Sequence, residues 1–145
     1  MKPLLLDTGP LVALLDRNDS YHDWVAPRFG SLTGPLVTSG AVVTEATFFL
    51  QNVKDGILRL FEFLANPRIH IFDSFQPTKL HTAAVLMHRY ADTPMDFADA
   101  TLVVLAGDLE TKHVLTLDER GFRTYRHGRN MSFHLVLQDD RQRPR

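Results

Sequence analysis

Leu4-Leu5-Leu6-Asp7-Thr8-Gly9-Pro10 is the stretch that decides the fold. The leucines read as a short strand buried on both faces, and the run ends abruptly on an acid. Thr8-Gly9-Pro10 then supplies the capping hydroxyl and first-turn proline of a helix start. A strand that feeds straight into a helix is the opening unit of an α/β domain. Outward from it the alternation continues. The first helix runs to about Leu15, and Arg17-Asn18-Asp19-Ser20 is a polar loop. A short helix over residues 22–29 carries the single tryptophan, Trp24, as a core residue.

Residues 35–38 read as a second strand. Ser39 caps a helix over 40–52, and Asp55-Gly56 separates it from another over 57–65, which Asn66-Pro67 stops. A third strand over 69–72 follows. Pro77 opens a helix to about Tyr90, and Asp96 begins one to about Leu109. Strands over 113–117 and 132–137 close the pattern. Strands separated by helices predict an α/β domain with a mainly parallel sheet. Ligands of such sheets bind outside the carboxyl ends of the strands. The chain shows no internal repeat and no linker, so one domain over 1–138 is expected, followed by a disordered polar tail over 139–145.

Composition narrows the chemistry. With 145 residues the chain can bury a real core. Its 44% hydrophobic and 23% charged content is that of an ordinary globular protein. There is no cysteine, which excludes disulfides, thiolate zinc sites and thiol nucleophiles. No apolar run is long enough for a signal peptide or a membrane span, so a cytoplasmic protein is expected. The net charge of −1 is uninformative alone. From Arg120 onward, however, arginines dominate, either as a solvated face or as a rim that contacts phosphates.

Four carboxylates stand at strand ends or among apolar helix neighbours. Asp7 follows the leucines, where it could simply cap the next helix. Glu45 has Ala41, Val42, Phe48 and Phe49 one turn away, which places it on an apolar face unless an ion pair explains it. Asp99 follows Asp96 by three residues, the spacing of a capping box, yet its forward neighbours are Leu102 and Val103. Asp118 ends the Val114-Leu115-Thr116-Leu117 run, where a turn residue is the plain alternative. Clustered carboxylates raise one another's pKa. A hard divalent cation relieves that repulsion, so Mg²⁺ or Mn²⁺ is the ion this donor set fits. His81 and His88 lack a third ligand for zinc and read as ordinary histidines. No phosphate-binding glycine loop and no nucleophile elbow is present.

Four ordered motifs resemble the PIN-domain family of metal-dependent ribonucleases, in particular the VapC-like toxins of toxin–antitoxin pairs. They are Leu6-Asp7-Thr8-Gly9, Thr44-Glu45, Asp96-Phe97-Ala98-Asp99-Ala100, and Thr116-Leu117-Asp118-Glu119-Arg120-Gly121-Phe122. The resemblance covers the chain from about Met1 to Gln138. It implies a three-layer α/β/α sandwich with a mainly parallel five-stranded sheet. It implies an acidic quartet of Asp7, Glu45, Asp99 and Asp118, with Asp7 and Asp99 as the main ligands of Mg²⁺ or Mn²⁺ and the other two binding directly or through water. Asp96 is then an accessory acid, and Thr8 and Thr116 are supporting hydroxyls. The implied activity is endoribonuclease cleavage of RNA, with Arg120, Arg123 and Arg126 as candidate RNA contacts. The implied partners are a cognate antitoxin and a second copy of the chain. Two other readings compete: a PIN-fold protein that binds or processes nucleic acid without this toxin role, and a carboxylate–metal phosphatase. The latter needs a second Asp two residues after the first, where this chain has Gly9.

Overall fold

A computed structural model describes residues 2–139. The expected leucine strand is β1 (Leu4–Leu6), and it leads through a single residue into α1 (Thr8–Leu15). There follow α2 (His22–Ser31), β2 (Leu36–Ser39), α3 (Gly40–Leu50), α4 (Gly56–Leu64) and β3 (Ile69–Phe72). Next come α5 (Pro77–Arg89), α6 (Phe97–Leu109), β4 (His113–Leu115) and α7 (Glu119–Thr124). Two-residue strands β5 (Arg126–His127), β6 (Met131–Ser132) and β7 (His134–Leu135) precede a 3₁₀ turn at Val136–Asp139. That turn ends on Asp139, the first residue of the expected polar tail, and the rest of that expectation, residues 140–145, lies outside the described residues.

The main sheet has the order β3-β2-β1-β4-β7, and every pairing in it is parallel. Successive strands step one way from β1 to β3, and the chain then crosses back to β4. Right-handed crossovers consequently place α1 to α4 on one face and α5 and α6 on the other. Packing agrees: α1 lies against α2, α3 and α4, while α5 lies against α6. The five-stranded parallel sheet flanked by helices is the architecture the sequence predicts. Trp24 is in the core, as expected, at 5% exposure.

The strand order has a direct consequence for function. Direction of progression reverses between β1 and β4, which makes their carboxyl ends the topological switch point where open α/β sheets bind ligands. Leu6 is in register with Leu115, and the Asp7 N–H donates to the Leu115 carbonyl at 3.0 Å. The residues that follow these two strands are therefore neighbours.

Two expectations need correction, and one element was not expected at all. The single fifth strand over 132–137 is split. Met131–Ser132 pairs antiparallel with Arg126–His127, and only His134–Leu135 joins the main sheet beside β4. Between them Phe133 drops into the core, stacking on Phe122 and His127, so the chain has to shift sheets there. Strand β4 ends at Leu115 instead of Leu117, because Thr116 turns its side chain into the site and Asp118 caps α7. Helix α7 itself has no sequence signal. Its six residues are too short for a periodic apolar pattern, and it holds through the Asp118 cap and the fully buried Phe122.

Candidate active site

Asp7 is the buried member of the acidic group, at 7% exposure. It caps α1, with the Thr8 N–H donating to its Oδ1 at 2.8 Å. The Thr116 hydroxyl donates to its Oδ2 at 2.7 Å. Thr116 in turn accepts the Asp118 N–H at 2.9 Å, so one buried hydroxyl ties the β1 acid to the β4 acid. Burial pushes the Asp7 carboxyl up to about 6; the two hydrogen bonds oppose this, and the negative charges of Asp96 and Asp118 add to it.

Asp96 caps α6 in a reciprocal capping box. The Asp99 N–H donates to Asp96 Oδ1 at 2.8 Å, and the Asp96 N–H donates to Asp99 Oδ2 at 3.1 Å. The structural explanation for this pair is therefore correct, but it does not exhaust it. Burial, and after it the charges of Asp7 and Asp96, together raise the Asp99 carboxyl to about 8. Glu45, from α3, accepts a 2.7 Å hydrogen bond from the Thr8 hydroxyl. Its carboxyl is raised by burial and by Asp96 and Asp7, against the Thr8 hydrogen bond. Asp118 caps α7, accepting the Gly121 N–H at 3.0 Å.

Acids from the starts of α1, α6 and α7 and from the middle of α3 thus act on one another at the switch point. The expectation that each sits in apolar surroundings holds unevenly. Asp7 is buried, Glu45 and Asp99 are half-buried, and Asp96 and Asp118 are exposed. The apolar face expected around Glu45 is only half real. Ala41 and Val42 are buried, but Phe48 and Phe49 are 66% and 56% exposed. Helical spacing shows which residues share a side, not what covers that side.

Among the described residues no three carboxylate or imidazole groups already form a coordination shell. Their oxygens are instead held by the caps and hydroxyls just described. The donor set is nonetheless all oxygen and rich in mutual repulsion, which fits a hard divalent cation. A cavity of about 590 Å³ lies elsewhere, at the opposite end of the sheet.

Two residues that sequence reasoning missed belong to this corner. The Tyr125 ring is fully buried and its hydroxyl donates to the Pro94 carbonyl at 2.7 Å; burial first, and then the charges of Asp99, Asp118, Asp96 and Asp7, oppose its ionisation. Gly121 leaves no room for a side chain, since a Cβ there would stand 2.9 Å from the Asp118 carboxyl carbon. Neither residue carries a sequence signal of its own, because the helix behind Asp118 is too short to show a period.

Of the candidate RNA contacts, Arg120 is exposed. Arg123 pairs with Glu119 at 2.7 Å. Arg126 donates to the carbonyls of Arg123, Thr124 and Tyr125 at the end of α7. His81 and His88 are both exposed on α5.

No protein-family model matches the sequence. The chain is 30% identical over 125 residues to ribonuclease VapC26 of Mycobacterium tuberculosis, a match that covers 85% of this chain and 92% of the relative. The chain belongs to the VapC family of PIN-domain ribonucleases. Its fold matches the crystal structure of VapC20, a sarcin–ricin-loop-cleaving toxin of the same organism. The TM-score is 0.73, with 16% identity and 80% and 90% of the two chains covered. That likeness extends the three-layer VapC architecture to this chain, and family membership bears out the resemblance carried by the four acidic motifs.

Proposed function

We propose that this VapC-family chain is a divalent-metal-dependent endoribonuclease, the toxin of a toxin–antitoxin pair acting in the cytoplasm. The observation that carries this reading is the meeting of Asp7, Glu45, Asp99 and Asp118 at the β1/β4 switch point, with Asp7 and Asp99 driven toward protonation by burial and by their neighbours. Asp7 and Asp99 would hold Mg²⁺ or Mn²⁺, with Glu45 and Asp118 reaching it directly or through water. When bound, such an ion offsets the repulsion, lowers the pKa of water and stabilises charge on the leaving oxygen.

The remaining work falls to the chain itself. Thr116 orients the Asp7 carboxylate and fixes Asp118 behind it. Thr8 orients Glu45. The Asp96 box holds Asp99 at the first turn of α6. Arg120 stands beside Asp118 as a phosphate contact, with Arg123 and Arg126 extending that rim. Exposed apolar side chains on α3 and α4, among them Phe48, Phe49, Leu58 and Phe61, supply a patch of the kind partner chains cover. That supports an antitoxin and a second copy as partners.

The test is cleavage of total RNA by the purified chain with Mg²⁺, with Mn²⁺ and with EDTA, alongside Asp99→Asn. Metal-dependent fragments that vanish in EDTA and in the variant are expected. Cleavage that persists in EDTA removes the metal, and wild-type protein that cuts no RNA with either ion removes the activity.

A further inference from the structure

A cavity of about 590 Å³ opens at the pole of the sheet opposite the carboxylates, where Lys2, Lys112, His113 and Arg129 line it. A second hollow of about 490 Å³ follows the seam between α5 and α6, past Lys79, Arg89 and Arg126. Gly107, His127 and Gly128 line both, so the two adjoin. Six cations border this path against two carboxylates, Glu110 and Asp108. The excess is notable in a chain of net charge −1. His113 senses it: desolvation lowers its pKa, and His134, Lys112 and Lys2 lower it further. His127, 7% exposed, carries an Nε2 with no hydrogen-bond partner.

The direction of the path follows from the helices. The Lys79–Asp108 pair at 3.1 Å joins the start of α5 to the end of α6, so the two run antiparallel. Arg89, at the far end of α5, consequently lies toward Asp96 and Asp99. The Arg126 N–H donates to the Tyr90 hydroxyl at 3.0 Å, which places Arg126 at that same end. Helix α6, with 13 residues, spans about 20 Å at 1.5 Å per residue. Its first turn carries the acids, and its last turn, at Gly107, borders the cavity of Lys2, Lys112 and Arg129. A single phosphate needs one cation cluster. Cations spread over that length suit a polyanion.

We propose that RNA cleaved at the acids continues along the α5–α6 seam to the pocket of Lys2, Lys112 and Arg129, which grips its backbone. The proposal rests on the ribonuclease reading and adds a distal subsite to it. About 20 Å corresponds to roughly six stacked nucleotides at 3.4 Å each. The pocket therefore makes the enzyme prefer RNA that extends well beyond the scissile bond.

Lys112 and Arg129 are exposed, so Lys112→Gln/Arg129→Gln perturbs charge with little effect on folding. Arg17→Gln/Lys54→Gln, exposed and outside both cavities, is the charge-matched control. Two readouts apply. One is the ratio of kcat/KM for RNA extending about twelve nucleotides on each side of the cut to that for RNA extending about three. The other is the salt dependence of binding the longer RNA in EDTA. Wild type and control should favour the longer RNA. In the Lys112/Arg129 variant the ratio should fall toward one, and the salt slope should shrink by about 1.4, or roughly 0.7 for each lost single-strand phosphate contact. If the variant keeps the wild-type ratio and slope, or wild type shows no preference for length, the distal subsite is wrong and the ribonuclease reading survives. If wild type cuts neither RNA, both fall together.

Discussion

Asp7→Asn is the perturbation that tests the site most sharply, because its sign opposes intuition. A raised carboxyl pKa means the folded chain holds a proton that the unfolded chain releases. Stability of the metal-free protein therefore falls as pH rises from the unfolded value near 3.8 through the folded value near 6. A shift from 3.8 to about 6 corresponds to about 3 kcal/mol at pH 8, at 1.36 kcal/mol per pH unit. At pH 5 the same two values leave about 2 kcal/mol. Asparagine keeps the shape and removes the charge. It also disturbs the Thr116 hydrogen bond, at about 1 kcal/mol, but that cost does not vary with pH. Relative to wild type the variant should gain roughly 1 kcal/mol between pH 5 and pH 8 in EDTA. Relief of Asp99, whose carboxyl Asp7 helps raise, adds in the same direction. Urea unfolding at the two pH values measures it. RNA cleavage should be lost at both. A stability difference that stays constant with pH, or one that moves against the variant as pH rises, refutes the burial of an ionisable Asp7 on which the site is built.

Three further outcomes follow from the same contacts. Thr116→Val should destabilise the chain by about 1–3 kcal/mol, because it leaves the Asp118 N–H and a buried Asp7 oxygen without their hydroxyl. It should also raise the Asp7 midpoint, measured by NMR titration of the carboxyl. Gly121→Ala crowds the Asp118 carboxyl and should cost about 1 kcal/mol of capping energy. Cleavage should fall far more than that stability loss explains, as paired kinetics and thermal melts will show. Phe122→Ala opens a hole among Tyr125 and Phe133 behind the site. Denaturant unfolding should register a loss of about 3–5 kcal/mol.

Local chemistry made much of the chain legible. The Leu4-Leu5-Leu6 run is β1, and Ser39 and Asp96 cap the helices assigned to them. Residues 69–72 form the strand their alternation predicts. These features depend on contacts within a few residues, which sequence displays directly. Helix α7 and the β5–β6 hairpin escaped notice because short elements carry too few positions to show a period. Their stability comes from Phe122, Tyr125 and Phe133 packing together across the chain.

The site divides along the same line. By itself the sequence determined that acids follow two strands, begin one helix and sit within another, and that the donors available to a metal are oxygens. It could not say that β1 lies beside β4, since strand order depends on pairings between residues more than a hundred positions apart. Nor could it say which acid loses its water. Asp7 is buried and Asp118 exposed because of what the rest of the chain stacks over each, and burial is what raises a carboxyl's pKa. Tertiary structure alone converts spaced acids into a coupled set, because Coulomb interaction depends on separation in space and on the surrounding dielectric.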